Sequence, residues 1–391
     1  MIGSKIFTER NTTLVAFHQT ATRMNVPFLD LKPMHDSIER EMASAFDKVY
    51  ASNQYILGPE LSRFEESYAN YTGTNYAVGT SSGLDALVMC LRAIGVGKGH
   101  EVIVPSNAYI AAALAVSHVG AKPVFVEPEE ESFNINPNLL KSAFNERTKA
   151  IIVVHMFGQS CKMKEIMEVA RSHSVQVIED NAQSQGSSYN GQRTGSWGHI
   201  NATSFYPTKN LGALGDGGCV TTNSDELAQR VRSFRNYGSI KKNETVEIGY
   251  NNRLDELQAA LLSVKLKRLP EWNDQRKKAA ELYCDQLADV EEVQLPKVAD
   301  WVSHVYHLFV IRTKKRDGLA KFLTGQGVET RIHYPIPPHL QTAYTHLGHQ
   351  KGDFPIAEQM AATSLSLPIY PRITEGQIMH VCKSIKAFFN G

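Results

Sequence analysis

One lysine, Lys209, lies in a glycine-rich stretch of the sequence that holds no other basic residue, SFYPTKNLGALGDGG (204–218). An earlier apolar run, VIEDNAQSQG (177–186), ends in Glu179 and Asp180, which the alternation of a strand would place on opposite faces. A carboxylate at such a strand end is unfavourable unless it is paired. An amine near a cation has a lowered pKa and becomes a nucleophile. Lys209 could therefore attack a carbonyl carbon while Asp180 pairs with a cationic ring, although a surface lysine and a helix N-cap are the ordinary interpretations.

Two further stretches offer a seat for an anion and an aromatic face. In GTSSGLDAL (79–87), small residues lead directly into a predicted helix. The backbone N–H groups of Ser82, Gly83 and Leu84 would then point at an anion, helped by the helix dipole. Tyr109 follows another strand and would present its ring at the same edge of the sheet. A plain N-cap and a core tyrosine are the alternatives for these two stretches.

The four stretches together supply the groups that pyridoxal 5′-phosphate requires. The phosphate needs an anion seat, and the ring nitrogen needs a carboxylate that keeps it protonated. The aldehyde needs a lysine that forms a Schiff base with it and that later moves a proton between two carbons of the reacting molecule. The sequence therefore predicts an enzyme that depends on pyridoxal phosphate, with Lys209 as its catalytic residue.

The elements that must position these residues alternate between short apolar strands and amphipathic helices from Tyr76 onward. This alternation predicts a mostly parallel sheet covered by helices on both faces, and hence an α/β fold. Ligands of such sheets bind beyond the carboxyl ends of the strands, where all four stretches would lie.

At 391 residues the chain is too long for one simple core. We predict a flexible leader over residues 1–25, a large domain over residues 26–265 that includes the N-terminal segment, and a bridging helix with a smaller C-terminal α+β domain over residues 266–391. In the smaller domain, the pattern predicts strands around residues 306–312 and 328–335.

Charge and cysteine usage narrow the choice of partners. The 41 basic and 40 acidic residues give a formal net charge of +1, which does not favour nucleic acid or an anionic membrane as partner. The five cysteines are scattered and have no CxxC spacing, so neither a disulfide framework nor a metal site is predicted. This cysteine usage predicts a protein of the reducing cytoplasm. No run approaches the roughly 18 apolar residues of a membrane span.

The sequence resembles the DegT/DnrJ/EryC1/StrS family of sugar aminotransferases over about residues 26–390. The motifs that carry the resemblance include ILGPE, VVHMFGQ, VIEDNAQSQG, SFYPTKNLGALGDGG, GYNNRLDELQAA and IHYPIPPHLQ, in this order. The resemblance implies the fold-type I architecture of aspartate aminotransferase, with a large cofactor-binding domain. It also implies a homodimer whose active sites lie at the subunit interface.

The resemblance also implies a cofactor-binding set: Ser82, Gly83, Leu84, Tyr109, Asp180, Gln183, Ser204, Lys209 and Asn251. Within it, Asp180 would pair with the pyridine nitrogen and Gln183 would contact the ring hydroxyl. Ser204 would hold the phosphate with the turn at 82–84, and Tyr109 would cover the ring. His155, in the motif VVHMFGQ, would have only a structural or positioning role.

Other residues would belong to the subunit interface and to the substrate. Asn251 of the GYNNR loop would reach the phosphate from the second subunit, with Arg253 as the alternative. Tyr206 and His333 would contact the sugar. His339 would either contact the substrate as well or fix its own loop.

The motifs SSGLDAL and FYPTKNLGA look most like the subgroup that acts on 3-keto sugars. The implied reaction transfers an amino group from L-glutamate to a nucleotide-linked 3-keto-6-deoxyhexose and gives a dTDP-3-amino-3,6-dideoxyhexose for O-antigen, S-layer or antibiotic sugars. A 4-keto-sugar or UDP-sugar aminotransferase is the alternative. The complete set of site residues disfavours a non-catalytic regulatory homologue. The lack of a GxGxxG motif after the first strand disfavours a nicotinamide-dependent enzyme.

Overall fold

The computed structural model of the chain describes residues 24–241 and 243–391. The predicted leader therefore lies outside the described residues, except for Met24 and Asn25. The strands of the described residues are β1 (Tyr76–Thr80), β2 (Glu101–Pro105), β3 (Lys122–Val126), β4 (Thr148–Val154), β5 (Gln176–Asp180), β6 (Ser188–Tyr189), β7 (Gln192–Arg193), β8 (Ile200–Ser204), β9 (Gly218–Thr222), β10 (Ser239–Lys241), β11 (Glu244–Thr245), β12 (Val302–Ser303), β13 (Phe309–Arg312) and β14 (Ser364–Leu367).

The helices lie between and around these strands. They are α1 (Lys32–Asp36), α2 (Glu39–Ser52), α3 (Pro59–Thr72), α4 (Gly83–Ala93), α5 (Ala111–His118), α6 (Pro137–Ala143), α7 (Met163–Ser172), α8 (Asp225–Phe234), α9 (Glu256–Leu266), α10 (Leu269–Leu287), α11 (Arg316–Gly325), α12 (Pro355–Thr363) and α13 (Glu375–Asn390).

The main sheet has seven strands in the order β1-β9-β8-β5-β4-β2-β3. Every neighbouring pair from β8 to β3 is parallel, and only β9 runs antiparallel to both of its neighbours. The central strands are apolar without alternation, because helices cover both faces. Ile151 and Ile152 of β4, for example, point to opposite faces and are both fully buried. The prediction of a mostly parallel sheet in an α/β fold is confirmed.

Helix α4 shows how the sheet fixes the start of a helix at the carboxyl end of a strand. Ser82 follows β1 with an extended backbone, and its side chain accepts a hydrogen bond from the N–H of Asp85. This N-cap begins the helix. Further along, Val88, Met89 and Leu91 are buried in the core between α4 and the sheet. The N-terminus of α4 is therefore held firmly at the edge where ligands bind.

A second core lies in the C-terminal part of the chain, where α10, α11 and α13 pack on β13 and β14. The predicted boundary after residue 265 falls at the last turn of α9, just before α10 begins. Val26 was placed by the sequence in the large domain, yet it is buried in this second core. Its N–H donates to the carbonyl oxygen of Gly327 at 2.8 Å, so that the N-terminal segment fastens onto the C-terminal core.

Two predicted strands of this region differ from the structure. The strand predicted at 306–312 begins only at Phe309, because Tyr306 has a φ of 45°, which no strand residue adopts. No continuous strand forms over residues 328–335. Arg331 pairs with Ser366 of β14 in an isolated bridge, after which the chain leaves the strand edge and carries His333 towards the main sheet. None of the described helices is long and apolar enough to cross a membrane.

Candidate active site

The carboxyl ends of β1, β4, β5 and β8 open onto a cavity of about 410 Å³, a size typical of a small-molecule site. The structure brings ten of the residues singled out from the sequence to its walls. They are Ser82, Gly83, Leu84, Tyr109, Asp180, Gln183, Ser204, Tyr206, Lys209 and His333.

Three residues that were expected to contact the cofactor or the substrate do not line this cavity. Asn251 is exposed and Arg253 donates to the side-chain oxygen of Asn236 at 3.0 Å. Both lie on a segment that runs beside the end of β1, so a role towards a second subunit stays a prediction. His339 is buried, with its Nε2 3.0 Å from Glu358 Oε1. His339 is not among the residues that line the cavity, and its contact with Glu358 favours the alternative that it fixes its own loop, so a substrate contact stays a prediction.

Lys209 and Asp180 both line the cavity, close enough for each charge to act on the other. Burial lowers the pKa of the Lys209 amine, and the nearby carboxylate of Asp180 opposes that shift. Burial raises the pKa of Asp180. Two interactions act in the opposite direction: the N–H of Ala182, which donates to Oδ1 of Asp180 at 3.0 Å, and the charge of Lys209. Burial therefore disfavours the charged forms of both the Lys209 amine and the Asp180 carboxyl group. A cation beside Asp180 would favour the ionised form of this carboxyl group.

The neighbouring carboxylate, Glu179, points to the opposite face of β5, as the alternation predicts. It is fully buried and accepts hydrogen bonds from the N–H groups of Gly195, Trp197 and Gly198 at 2.6–2.8 Å. Its Oε2 also lies 2.7 Å from Nε2 of His155, whose Nδ1 accepts from the N–H of Cys161. His155 therefore carries its proton on Nε2 and fixes the carboxylate behind the site.

The N-terminus of α4 and the end of β8 form an anion seat. Among the described residues, the N–H groups of Gly83 and Leu84 have no partner, since the capping bond of Ser82 goes to Asp85. Ser204 adds a hydroxyl from the other side. It packs so closely that a Cβ atom on Gly83 would lie 2.4 Å from its own Cβ. Glycine is thus required here for the helix to meet the strand end.

Gln183 and two tyrosines form a wall of the cavity. The side-chain oxygen of Gln183 accepts from the N–H of Phe157 at 2.7 Å, so its amide nitrogen faces the cavity and donates to the hydroxyl of Tyr334 at 3.1 Å. The rings of Tyr334 and Tyr109 lie with centroids 5.1 Å apart. Tyr109 is 55% exposed, which leaves its face free for a planar ligand.

The sequence interpretation missed four polar residues that line the cavity: Thr208, Asp216, His307 and Tyr334. Thr208 directly precedes Lys209 in the sequence, and Tyr334 directly follows His333. These neighbours could have indicated that both residues line the cavity. Burial lowers the pKa of His333 to about 4 and holds the pKa of His307 well below its usual value, with Lys209 adding to both shifts. Both imidazoles are therefore neutral at physiological pH.

Lys265 of α9 holds the loop that carries Lys209. It is 1% exposed, and its Nζ donates to the carbonyl oxygen of Gly212 at 2.7 Å and lies 3.0 Å from Nε2 of His35. No carboxylate of the described residues forms an ion pair with it. Burial alone lowers the pKa of this lysine to about 8.

We expect this buried amine to make stability rise with pH. Between pH 8 and 9.5 the unfolded chain, with a lysine pKa of about 10.4, binds more protons than the folded chain, so the free energy of unfolding should increase by about 1–2 kcal/mol. The Lys265→Met variant should lose this increase, whereas Lys277→Met, at an exposed position of α10, should keep it. Urea unfolding at several pH values measures the difference, and parallel profiles for wild type and Lys265→Met would contradict it.

The residues of the cavity fit pyridoxal phosphate. The two unpartnered N–H groups and the close approach of Ser204 to Gly83 make a cradle for a phosphate. Asp180 is a buried carboxylate, and the described residues give it no cationic hydrogen-bond partner. It is therefore available to pair with a protonated ring nitrogen. Lys209 lies within electrostatic reach of Asp180, and Tyr109 presents its ring beside the space between them.

Comparison with known proteins gives the family. The model of the DegT/DnrJ/EryC1/StrS aminotransferase family matches residues 36–386. The chain is 47% identical over 363 residues to the dTDP-3-amino-3,6-dideoxy-α-D-galactopyranose transaminase of Aneurinibacillus thermoaerophilus, an alignment that covers 93% of this chain and 99% of that relative.

Solved structures agree with this result. DesV of Streptomyces venezuelae, in complex with a ketimine intermediate, superposes with a TM-score of 0.92 at 43% identity and covers 94% of this chain and 99% of its own. NtdA of Bacillus subtilis, with bound cofactor PMP, superposes with a TM-score of 0.88 at 30% identity, covering 94% and 86%. The predicted fold class, enzyme class and pyridoxal phosphate cofactor are confirmed. The chain belongs to the DegT/DnrJ/EryC1/StrS aminotransferase family.

Proposed function

We propose that the chain transfers an amino group from L-glutamate to C3 of a nucleotide-linked 3-keto-6-deoxyhexose, giving a dTDP-3-amino-3,6-dideoxyhexose. The observation that carries the chemistry is the meeting of Lys209 and Asp180 in one cavity with an anion seat at its edge. The choice of C3 and of a dTDP sugar is supported by the 47% identity to a transaminase named for such a product.

The roles of the residues follow from their positions. Bound pyridoxal phosphate supplies an electron sink for the charge that develops when a proton leaves carbon. Lys209 would hold the cofactor through Nζ, and its free amine would move a proton between two carbons of the reacting molecule. Its lowered pKa favours the neutral form that this work requires. Asp180 holds the positive charge of the ring nitrogen in place.

The remaining cofactor contacts orient the ring. The amide N–H of Gln183, turned to the cavity by Phe157, would donate to the ring hydroxyl. Ser204 and the N–H groups of Gly83 and Leu84 would hold the phosphate. Tyr109 would cover one face of the ring and exclude water from the reacting carbon.

The sugar contacts fall on the open side of the cavity. Tyr206 is 52% exposed at its rim and offers a hydroxyl to the hexose. His333 is fixed by a 2.8 Å hydrogen bond between its Nδ1 and Ser366 Oγ. Because its pKa is lowered to about 4, it acts as a neutral hydrogen-bonding group and not as an acid.

A substrate panel tests this proposal. The holoenzyme and L-glutamate are incubated with dTDP-linked 3-keto hexoses of both C4 configurations and with dTDP-linked 4-keto hexoses of both C3 configurations. The UDP-linked counterparts of these sugars are tested in the same way. Mass spectrometry of the products measures the exchange of oxygen for an amine. We expect the dTDP-linked 3-keto sugars to react fastest. Faster amination of a 4-keto sugar or a UDP sugar would replace the proposal by that alternative.

We also propose that the active enzyme is a homodimer in which Asn251, or else Arg253, reaches the phosphate of the other subunit. Exposed apolar side chains around this segment, Tyr237, Ile240 and Ile248 among them, support an interface here.

Mixing two inactive variants tests the shared site. Lys209→Ala and Asn251→Ala proteins, unfolded and refolded together, should regain about a quarter of the wild-type activity, because half of the dimers then hold one intact site. Each variant refolded alone is the control. Absence of any recovery, with dimers present by light scattering, would mean that both residues serve the same subunit's site, and repeating the mixture with Arg253→Ala decides between the two candidates.

A further inference from the structure

A second cavity, of about 330 Å³, adjoins the cavity of Lys209. The two cavities have Thr208, His307 and His333 in common as lining residues. The far walls of the second cavity come from the N-terminal segment, from α10 and from the C-terminal core. A molecule that reacts at Lys209 could therefore extend one of its ends into this space.

Arg276 of α10 is a buried cation in the wall of the second cavity. It is 3% exposed, and its Nη1 donates to the carbonyl oxygens of Tyr306, His307 and Ile369 at 2.9–3.4 Å. Its Nε has no hydrogen-bond partner among the described residues. No carboxylate in the described part of the chain forms an ion pair with it. A buried guanidinium is usually paired with an anion, and this one has a donor to spare.

Arg331 supplies a second, more accessible guanidinium. Its side chain is 59% exposed and lies over the ring of Phe28, 5.8 Å from the centroid. Its Nη2 is 3.8 Å from Glu329 Oε2, which is too long for a hydrogen bond. Glu329 also accepts from the N–H of Phe28 at 3.3 Å. A loose, exposed pair of this kind contributes little, so the guanidinium can take a better carboxylate partner.

The balance of charge in the second cavity favours an anion. His307 and His333 are neutral, as described above, so they add no charge between the cavities. The second cavity is then lined by two cations, Arg276 and Arg331, against the one carboxylate of Glu329. The first cavity holds Lys209 together with the carboxylates of Asp180 and Asp216, so it adds no positive excess. The excess in the second cavity attracts a small anion to the arginine side of the shared wall.

We propose that the second cavity binds a carboxylate group of the amino-acid donor, with Arg331 as its main partner and Arg276 as a second cation. The inference rests on the proposed transamination, because it needs a donor whose amine reaches Lys209. A carboxylate of such a donor lies only a few bonds from the reacting amine, which matches a cavity that shares three lining residues with the Lys209 cavity. The planar guanidinium fits the two oxygens of a carboxylate.

Glutarate is the probe that isolates this site, because it has two carboxylates and no amine and cannot react. Isothermal titration of the holoenzyme with glutarate should show binding that Arg331→Ala weakens roughly 10- to 100-fold. The same variant should raise the KM for L-glutamate by a similar factor and change kcat less. Arg268→Ala, at an exposed arginine of similar accessibility, is the matched control and should change neither value.

A second set of titrations separates the donor from the nucleotide sugar. Affinity for dTDP should be the same in wild type and Arg331→Ala. Loss of dTDP affinity with unchanged glutarate affinity would overturn the inference and assign the arginines to a diphosphate. Unchanged affinity for both, or no glutarate binding by wild type, would also overturn it.

Two more measurements complete the design. Arg276→Lys keeps the charge, and we expect a smaller loss of glutarate affinity than in Arg331→Ala. If this variant does not fold, the Arg331 titrations still decide the question. If wild type binds glutarate through Arg331 but aminates no keto sugar in the substrate panel, the proposed function fails while the carboxylate site stands.

Discussion

Replacing Lys209 with alanine should reduce amino transfer by roughly 10⁴-fold or more, since one amine both attaches the cofactor and moves the proton. Steady-state kinetics with L-glutamate and the keto sugar measure the loss. The visible absorption band of the lysine-bound cofactor should disappear as well. The melting temperature should be unchanged or raised, because burial disfavours the ammonium that is removed.

Lys209→Arg distinguishes the amine from its charge. Arginine keeps a cation opposite Asp180 but is not deprotonated in proteins, so it cannot act as the nucleophile. We expect it to be as inactive as Lys209→Ala. Activity within tenfold of wild type in either variant would show that Lys209 is not the catalytic amine.

Replacing Asp180 with asparagine should lower kcat/KM by roughly 10²- to 10³-fold, the effect of removing one well-placed electrostatic partner. Asparagine has nearly the same shape, and its oxygen can still accept from the N–H of Ala182. The change therefore removes mainly the charge that would keep the ring nitrogen protonated. Kinetics of the half-reaction with L-glutamate alone measure this effect without the sugar.

Glu179→Gln is the matched control, since it makes the same chemical change one residue earlier on the other face of β5. Glu179 accepts three backbone N–H groups and contacts His155, so this variant should lose about 2–4 kcal/mol of stability. Its folded fraction should keep activity within about tenfold of wild type at low temperature. Equal activity losses in the two variants, at equal stability, would contradict separate roles for the two faces.

The sequence was sufficient to predict the residues that follow strands. Lys209, Asp180 and Ser204 each follow or end an apolar run, and parallel strands bring such ends to one edge of a sheet. The reversed direction of β9 could not be predicted in this way, because an apolar run reads the same in both directions. Only the pairing shows that β9 runs antiparallel to both β1 and β8.

The residues that the sequence interpretation missed depend on contacts between distant segments. His307 and Arg276 reach the cavities because the C-terminal core packs against the main sheet, and no local pattern encodes that packing. His339 belongs to a motif that suggests the substrate site, but its partner Glu358 lies on α12 and could not be inferred from the motif. The structure of one chain does not test the predicted role of Asn251, because the phosphate that this residue is expected to reach belongs to another subunit.

The opposite orientations of Glu179 and Asp180 limit the mutations that β5 can tolerate during evolution. Because successive residues of a strand face opposite sides, inserting or deleting one residue just before this pair would exchange the two carboxylates. The cofactor face would then receive a side chain shaped for the buried loop at 195–198, and that loop would lose its acceptor. Substitutions can accumulate one at a time in β5, whereas changes of length there damage catalysis and folding in a single step.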